Sequence, residues 1–322
     1  MEELLYEKYN VHVTDALEWD GKKGFTDNEY FYYIMRVKDK EKIHMEQTVL
    51  AYFLQDMGYD EIAIPIQTST GKWISDYNSS KFIFFRVKNK LKGKESTHGS
   101  KLATFHQTAA VYRFQPQVIS SYGQWKTLWI EKLTAIENTI KSKSKQYPTQ
   151  FNRLFVEILP YLIGMSENAI QYVRECEYEN RHHYNDQGTI CFHRYENQLE
   201  RSIIWPNEFV FDHPVRDLAE HIRLSLLNNN YPSMIQKFIK DYEPVRPLSI
   251  FGLRLLYARI IYPIHFFDLC ERGIFEEEND FLVNELEILI EKQSHYEKNL
   301  KLFFEMINID SERMQIPVIQ WL

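Results

Sequence analysis

Apolar positions recur at two spacings along this chain, and the change of spacing divides it. Up to residue 87 they come in short, partly alternating runs. Val11 to Trp19, Tyr30 to Val37, Ile62 to Gln67, Lys72 to Ser75 and Lys81 to Val87 therefore read as strands. The turn Asp20-Gly21-Lys22-Lys23-Gly24 leads into the second run, and Thr70-Gly71 joins the third to the fourth. Residues 3 to 9 read as a short helix. A longer one spans Glu41 to Met57, with Met45, Val49, Tyr52 and Phe53 on one stripe and Gly58 as its stop. Residues 1–88 are thus expected to form a sheet lobe with one main helix, and residues 89–322 a helical domain.

Beyond residue 98 the period is helical. Gly99 to Gln107, Trp125 to about Lys141, 150 to 158 and 161 to 178 read as helices, the last two separated by Pro160. Further helices are expected at roughly 232 to 241, 247 to 272 and 280 to 306. The last carries Leu282, Leu286, Leu289 and Ile290 on one side, with no sustained heptad. The apolar tail 315 to 322 is expected to pack onto this domain. The basic run Arg86 to Lys94 and the acidic stretch Phe275 to Asp280 read as solvated connections.

One segment breaks the helical run. From Gly188 to Leu227 the chain reads as a buried strand, Thr189 to Phe192, ending at His193, Arg194 and Tyr195. A hairpin is expected next, with Ile203, Ile204 and Trp205 on one arm, Pro206-Asn207 at the turn and Phe209, Val210 and Phe211 on the other. Asp212 stands where the second arm stops. Pro214 and Asp217 suit a helix start, and Leu218, Ile222 and Leu226 continue it.

Length, charge and cysteine usage narrow the field. At 322 residues the chain can build two cores, and a net charge of −7 argues against a nucleic-acid binder, which needs a basic face. Cys176, Cys191 and Cys270 are odd in number and widely spaced, which fits buried reduced thiols and no metal pattern. His182 and His183 read as a surface pair, and His106 as a packed core histidine. The start MEELLYEKYN is acidic and unlike a signal peptide, and no transmembrane segment is expected.

The order of these pieces resembles the aminoglycoside phosphotransferase and choline kinase-like family. Its second lobe carries a G-x-x-L-A-x-F-H-x helix, here Gly99 to Gln107, then H-G-D-x-x-x-x-N, I-D-F-D and a D-L-A helix, here Asp217-Leu218-Ala219. In wording and length the chain is similar to the bacterial spore-coat branch of that family, the CotS type. The resemblance implies an α+β, two-lobed, protein-kinase-like fold.

Carried over residue by residue, His193 falls on the loop histidine and Tyr195 on the catalytic aspartate. Counting from His193 brings Glu200 to the metal-binding asparagine, while counting back from Ile203 brings Ser202 there. Asp212 answers to either aspartate of I-D-F-D. Met35 stands where the family's strand lysine would be, and Glu46 where a helix offers that lysine a glutamate; without the lysine, Glu46 reads as a solvated residue. Arg36 would approach from the opposite face of the strand. Gly21 and Gly24 read as a plain turn more than as a phosphate loop.

A neutral tyrosine accepts a hydroxyl proton poorly, and a positioned base contributes about 10²–10⁴-fold. Phosphoryl transfer otherwise depends almost wholly on positioning and metal charge. The implied function is therefore a non-catalytic, pseudokinase-type component of spore coat assembly. It would be made in the mother-cell cytoplasm, deposited in the coat, partnered by other spore coat proteins and without a cofactor. The alternatives are an ATP-dependent phosphotransferase acting on a small alcohol or amine, with Asp212 holding the magnesium of Mg-ATP and Glu196 or Glu200 as base, and a nucleotide sensor without turnover.

Overall fold

The alternating run Tyr30–Val37 becomes the centre of a six-stranded antiparallel sheet. This computed structural model describes residues 2–19, 21–37, 40–88, 96–146, 148–179, 181–228, 232–274 and 279–319. Most of the basic run, part of the acidic stretch and the last three residues lie outside them. The fold is α+β. By packing, the chain groups into one unit of residues 1–120 with 188–212 and another of 121–187 with 213–322. The helix after residue 97 and the strand pair near residue 200 thus pack with the sheet, whereas sequence reading assigns them to the second domain.

In the first unit, α1 (Glu2–Tyr9) precedes β1 (Asp15–Trp19), β2 (Lys22–Thr26) and β3 (Tyr30–Val37). Then come α2 (Glu41–Asp56), β4 (Ile64–Pro65), β5 (Ser75–Tyr77), β6 (Ser80–Lys88) and α3 (His98–Ala109). The strand order is β1-β2-β3-β6-β4, with β5 also on β6. Two expected turns differ. Lys22 to Gly24 belong to β2, where Lys23 faces Glu18 and Gly24 faces Leu17. Thr70-Gly71 does not join a hairpin: Thr68 and Lys72 close that loop on itself through backbone and hydroxyl bonds. The chain then lays β5 on β6.

Period-2 alternation gives the sheet two apolar faces. Tyr32 and Phe84 pack with Leu4, Leu5 and Tyr9 of α1, while Tyr33, Ile83, Phe85 and Val87 form a second cluster. Met35 packs on this second face; Arg36 is exposed. On α2 the buried residues are Gln47, Thr48, Leu50, Ala51 and Leu54, whereas Met45 and Val49 of the expected stripe are exposed. The helix is rotated because Gln47 donates to the carbonyls of Asn207 (3.0 Å) and Phe209 (3.2 Å).

The second unit is helical: α4 (Trp125–Gln146), α5 (Gln150–Glu179), α6 (Val215–Leu227), α7 (Pro232–Tyr242), α8 (Ile250–Ile261), α9 (Ile264–Gly273), α10 (Asp280–Lys301) and α11 (Phe303–Met306). Pro160 does not end a helix but sits inside α5. An interior proline costs about 3 kcal/mol. A single buried stripe through Phe155, Leu159, Leu162, Met165, Ala169 and Val173 offsets it by continuing across both sides. The long helix expected over 247 to 272 is instead broken at Pro263. Ile250–Gly273 is the one stretch among the described residues apolar and long enough to cross a membrane, and 83% of its apolar window is buried inside the protein. The tail packs as expected: Ile316 is buried and Tyr172 donates to the Pro317 carbonyl at 2.6 Å.

A buried polar node sets the start of α6 and α8. Asp186 Oδ1 accepts from Ser249 (2.6 Å) and lies 3.1 Å from His213 Nε2. The Val215 amide donates to His213 Nδ1, so Nε2 carries the ring proton. Burial pushes the Asp186 pKa up, but the bonds from His213 and Ser249 outweigh it and hold the carboxyl below its usual range.

Candidate functional site

The loop that sequence reading singles out is anchored by two more strands of the first unit. β7 (Thr189–Phe192) pairs antiparallel with β8 (Phe209–Asp212), setting Thr189 opposite Asp212 and Phe192 opposite Phe209. The arm expected for that pairing, Ile203 to Trp205, lies elsewhere. The Ile204 amide donates to the Glu61 carbonyl and its own carbonyl accepts from Ala63, both at 2.9 Å. Pro206–Glu208 is a 3₁₀ turn. The reason is apolar: at period 2, Ile203 and Trp205 share one side, and both are buried in the cluster of Tyr33, Ile83, Phe85 and Val87.

Within the loop, His193 is exposed and its amide donates to the Glu208 carbonyl at 2.7 Å. Tyr195 is fully buried, its ring centroid 5.4 Å from that of Phe192 and its hydroxyl 2.7 Å from His98 Nε2. Burial lowers the His98 pKa, with Glu200 raising it and Lys101 lowering it. Gln198, also buried, closes the turn. Its Oε1 accepts from the Glu196 amide and its Nε2 donates to the Arg194 carbonyl and to Glu208 Oε2, each at 2.7 Å. Asn197 takes a left-handed φ of 62° to allow this.

The candidate carboxylates have other occupations. Glu200 is exposed and paired with Lys101 at 3.0 Å. Glu196 is exposed and 3.6 Å from Arg201, which also binds Glu208 at 3.1 Å. Asp212 is fully buried at the end of β8. His193, Arg194, Glu196, Arg201, Asn207 and Glu208 line an open polar groove.

Met35 and Glu46, paired in sequence reading only through the family's lysine and glutamate, have different surroundings. Met35 lines a cleft of about 10 Å³ with His44, Gln47, Ile83, Phe85 and Pro206, room for about one water molecule. Glu46 is not among its lining residues and is not merely solvated. Its Oε1 accepts from the amides of Gln117 (2.8 Å) and Val118 (3.1 Å), and its Oε2 from Val118 (2.9 Å) and Ile119 (3.0 Å). That carboxylate ties α2 to the loop after α3.

Trp205, placed by sequence reading on a hairpin arm only, packs instead on the sheet. Its ring meets Tyr33 and Phe85 edge-on, at 5.5 and 5.7 Å between centroids, and Lys22 Nζ lies 4.3 Å over it. In kinase-like folds the glycine-rich loop and strand lysine line this side of the sheet and hold phosphates. Here Lys22, beside Gly21, is engaged with an indole, a cation–π contact worth about 0.5–1 kcal/mol or more. The i, i+2 spacing of Ile203 and Trp205 is a signal that could have placed them on one buried face. His98, 97 residues before Tyr195, leaves no such signal.

Comparison with known proteins agrees on family and fold. A family model described as "Spore coat putative kinase YutH" matches residues 2–303. The endospore coat-associated protein YutH of Bacillus subtilis (strain 168) is 29% identical over 333 aligned positions, covering 98% of this chain and 96% of that one. Among solved structures, an aminoglycoside phosphotransferase from Alicyclobacillus acidocaldarius superposes with a TM-score of 0.61 at 11% identity, covering 92% of this chain and 93% of the other. A microcompartment-associated aminopropanol kinase superposes with a TM-score of 0.50 at 10% identity, covering 95% and 94%. At those identities the structural likeness speaks for the kinase-like fold alone.

Proposed function

The chain belongs to the spore-coat YutH family, and from that premise we propose that it is a non-catalytic, kinase-like protein of the endospore coat, working through its surface in coat assembly. Its partners are other coat proteins, and it is deposited in the coat after synthesis in the mother cell.

The observation that carries the non-catalytic part is the inward burial of Tyr195. A general base must reach the proton it abstracts within about 3 Å, directly or through one water. A phenol with no exposed surface, hydrogen-bonded to His98, has no such access. Two further placements support the reading. Met35 offers no charge to a phosphate, and Trp205 with Ile203 packs against the sheet face on which a nucleotide would need polar donors. The residues therefore do not suit Mg-ATP.

The test has two arms. A thermal-shift titration with ATP and Mg²⁺ should leave Tm unchanged, whereas a ligand at 100 times its Kd would stabilise by about 2.7 kcal/mol. A shift together with phosphate release on a panel of amino alcohols would establish the phosphotransferase reading instead; a shift alone would establish a sensor. For the coat, a fluorescent fusion should be retained on purified spores and leave with alkaline coat extraction. Signal confined to the mother-cell cytoplasm would sink that half.

A further inference from the structure

The sheet face that carries α1 also carries a second concavity, remote in chemistry from the loop at residues 193–201. It has a volume of about 280 Å³, at the lower limit for a small-ligand site, and its walls include Tyr9, Val11, Tyr32, Tyr52, Ile66 and Arg86. The sheet register explains the grouping. Arg86 and Tyr32 are paired on adjacent strands, so their side chains emerge together on this face.

Among the described residues Arg86 has no carboxylate partner there. Its Nε is shielded from solvent and makes no hydrogen bond, and its guanidinium carbon lies 5.1 Å from the Tyr30 ring centroid. A shielded donor left unmade costs about 1–3 kcal/mol, and such groups call for a reason. The phenols around it have committed their protons elsewhere. Tyr9 donates to Ser75 (2.9 Å), Tyr32 to Asp27 (2.7 Å) and Tyr52 to the Pro65 carbonyl (2.9 Å). The cavity therefore offers a guanidinium fork set between aromatic walls, the aliphatic side chains of Val11 and Ile66, and the Gln67 amide.

We propose that this concavity is a binding site for a carboxylate borne on a small apolar or aromatic body, with Arg86 as the fork that engages both oxygens. Planar bidentate pairing with a carboxylate is the geometry a guanidinium is built for. A phosphomonoester fits less well. It brings nearly two negative charges, and the site supplies one cation with Asp27 close behind Tyr32. Asp27 itself is occupied, since it also accepts from the amides of Glu29 and Tyr30. The volume admits one group the size of an amino-acid side chain. The carboxylate can belong to a free aromatic acid or to a peptide.

The experiment is isothermal titration calorimetry on the full chain with three probes: phenylacetate, an uncharged peptide ending in a free phenylalanine carboxylate, and inorganic phosphate. Saturable binding of either carboxylate, weakened at least tenfold in Arg86→Met and threefold or more in Arg86→Lys, is expected, with phosphate at least tenfold weaker. Binding of phenylacetate alone assigns a free acid, and tighter binding of the peptide assigns a chain terminus. Arg86→Met removes the unmet donor, so its Tm should equal or exceed that of the unmodified chain, which separates lost binding from lost folding. No heat from either carboxylate at millimolar concentration, equal affinity in Arg86→Met, or preference for phosphate would each overturn the assignment.

Discussion

The hydroxyl of Tyr195 and Nε2 of His98 are 2.7 Å apart, so the tyrosine of the loop after β7 is tied inward to the start of α3. That side chain lies in the core, where the stacked rings of Phe192 and Phe105 pack beside it.

Two substitutions separate a structural tyrosine from a dormant base. Tyr195→Phe keeps the ring and strands His98 Nε2, and should cost about 1–2 kcal/mol in urea unfolding. Tyr195→Asp places a charge in a site with no exposed surface and should cost roughly 3 kcal/mol or more, without phosphate release from ATP. Full stability of Tyr195→Asp together with measurable turnover would show that the cleft still reads nucleotide.

Gly24 gives the second prediction. It lies in the stretch where a kinase-like fold keeps its phosphate loop, yet its place here is set by packing. A Cβ at Gly24 would stand 2.5 Å from the Tyr32 carbonyl oxygen and 2.9 Å from the Tyr33 ring. Backbone cannot give way as a flexible side chain can. Gly24→Ala should lower stability by about 1–3 kcal/mol, read as a shift in urea midpoint. Gly21→Ala, with open space around it but a φ of 70°, should cost about 1 kcal/mol.

The carboxylate of Glu46 gathers three consecutive amides, and hydrogen bonds to a charged group contribute more than neutral ones. Its site is only partly buried, so Glu46→Ala should cost about 1–2 kcal/mol, and Glu46→Gln less. The sharper readout is local. Amide exchange at Gln117, Val118 and Ile119 should accelerate at least tenfold in Glu46→Ala while the amides of β3 and β6 hold. Unchanged exchange at those three amides would mean the loop is ordered by other contacts.

These residues also mark how far the chain could be read without coordinates. The strand Thr189–Phe192 and the helix from Val215 are legible because each carries one unbroken periodicity, whereas the hairpin expected between them is not formed: Phe209–Asp212 pairs with β7, and Ile204 bonds to Glu61 and Ala63. That the resemblance sets Tyr195 where the family keeps an aspartate is read from residue type and spacing alone. Where the side chains go is not. Tyr195 meets His98 and Gln47 meets the carbonyls of Asn207 and Phe209 across 97 to 162 residues of sequence, and no local pattern records such pairs. Proline misleads in both directions for one reason: its cost of about 3 kcal/mol is fixed, but the burial that offsets it is tertiary. Pro160 is carried inside α5, and Pro263 breaks what its composition suggested was a single helix.

Acid should weaken the second unit through His265. Burial pushes its pKa down, Arg223 pushes it further, Glu220 and Asp268 oppose them, and the result is about 3. Both ring nitrogens are shielded and Gln293 does not reach hydrogen-bonding geometry, so the neutral ring is the folded form. The unfolded chain, with an ordinary histidine pKa near 6.5, binds a proton that the folded chain refuses between about pH 6.5 and 3. Stability therefore falls as pH drops through that window, by roughly 1 kcal/mol per pH unit, and is indifferent to this group above it. His98, also lowered by burial, adds to the slope in the same direction. His265→Phe removes two unmet nitrogens and the proton site together. It should match or exceed the unmodified chain at pH 7.5 and lose stability less steeply between pH 6.5 and 4.5 in urea unfolding. An identical slope in the variant would assign the acid sensitivity to other groups and place His265 in contact with solvent.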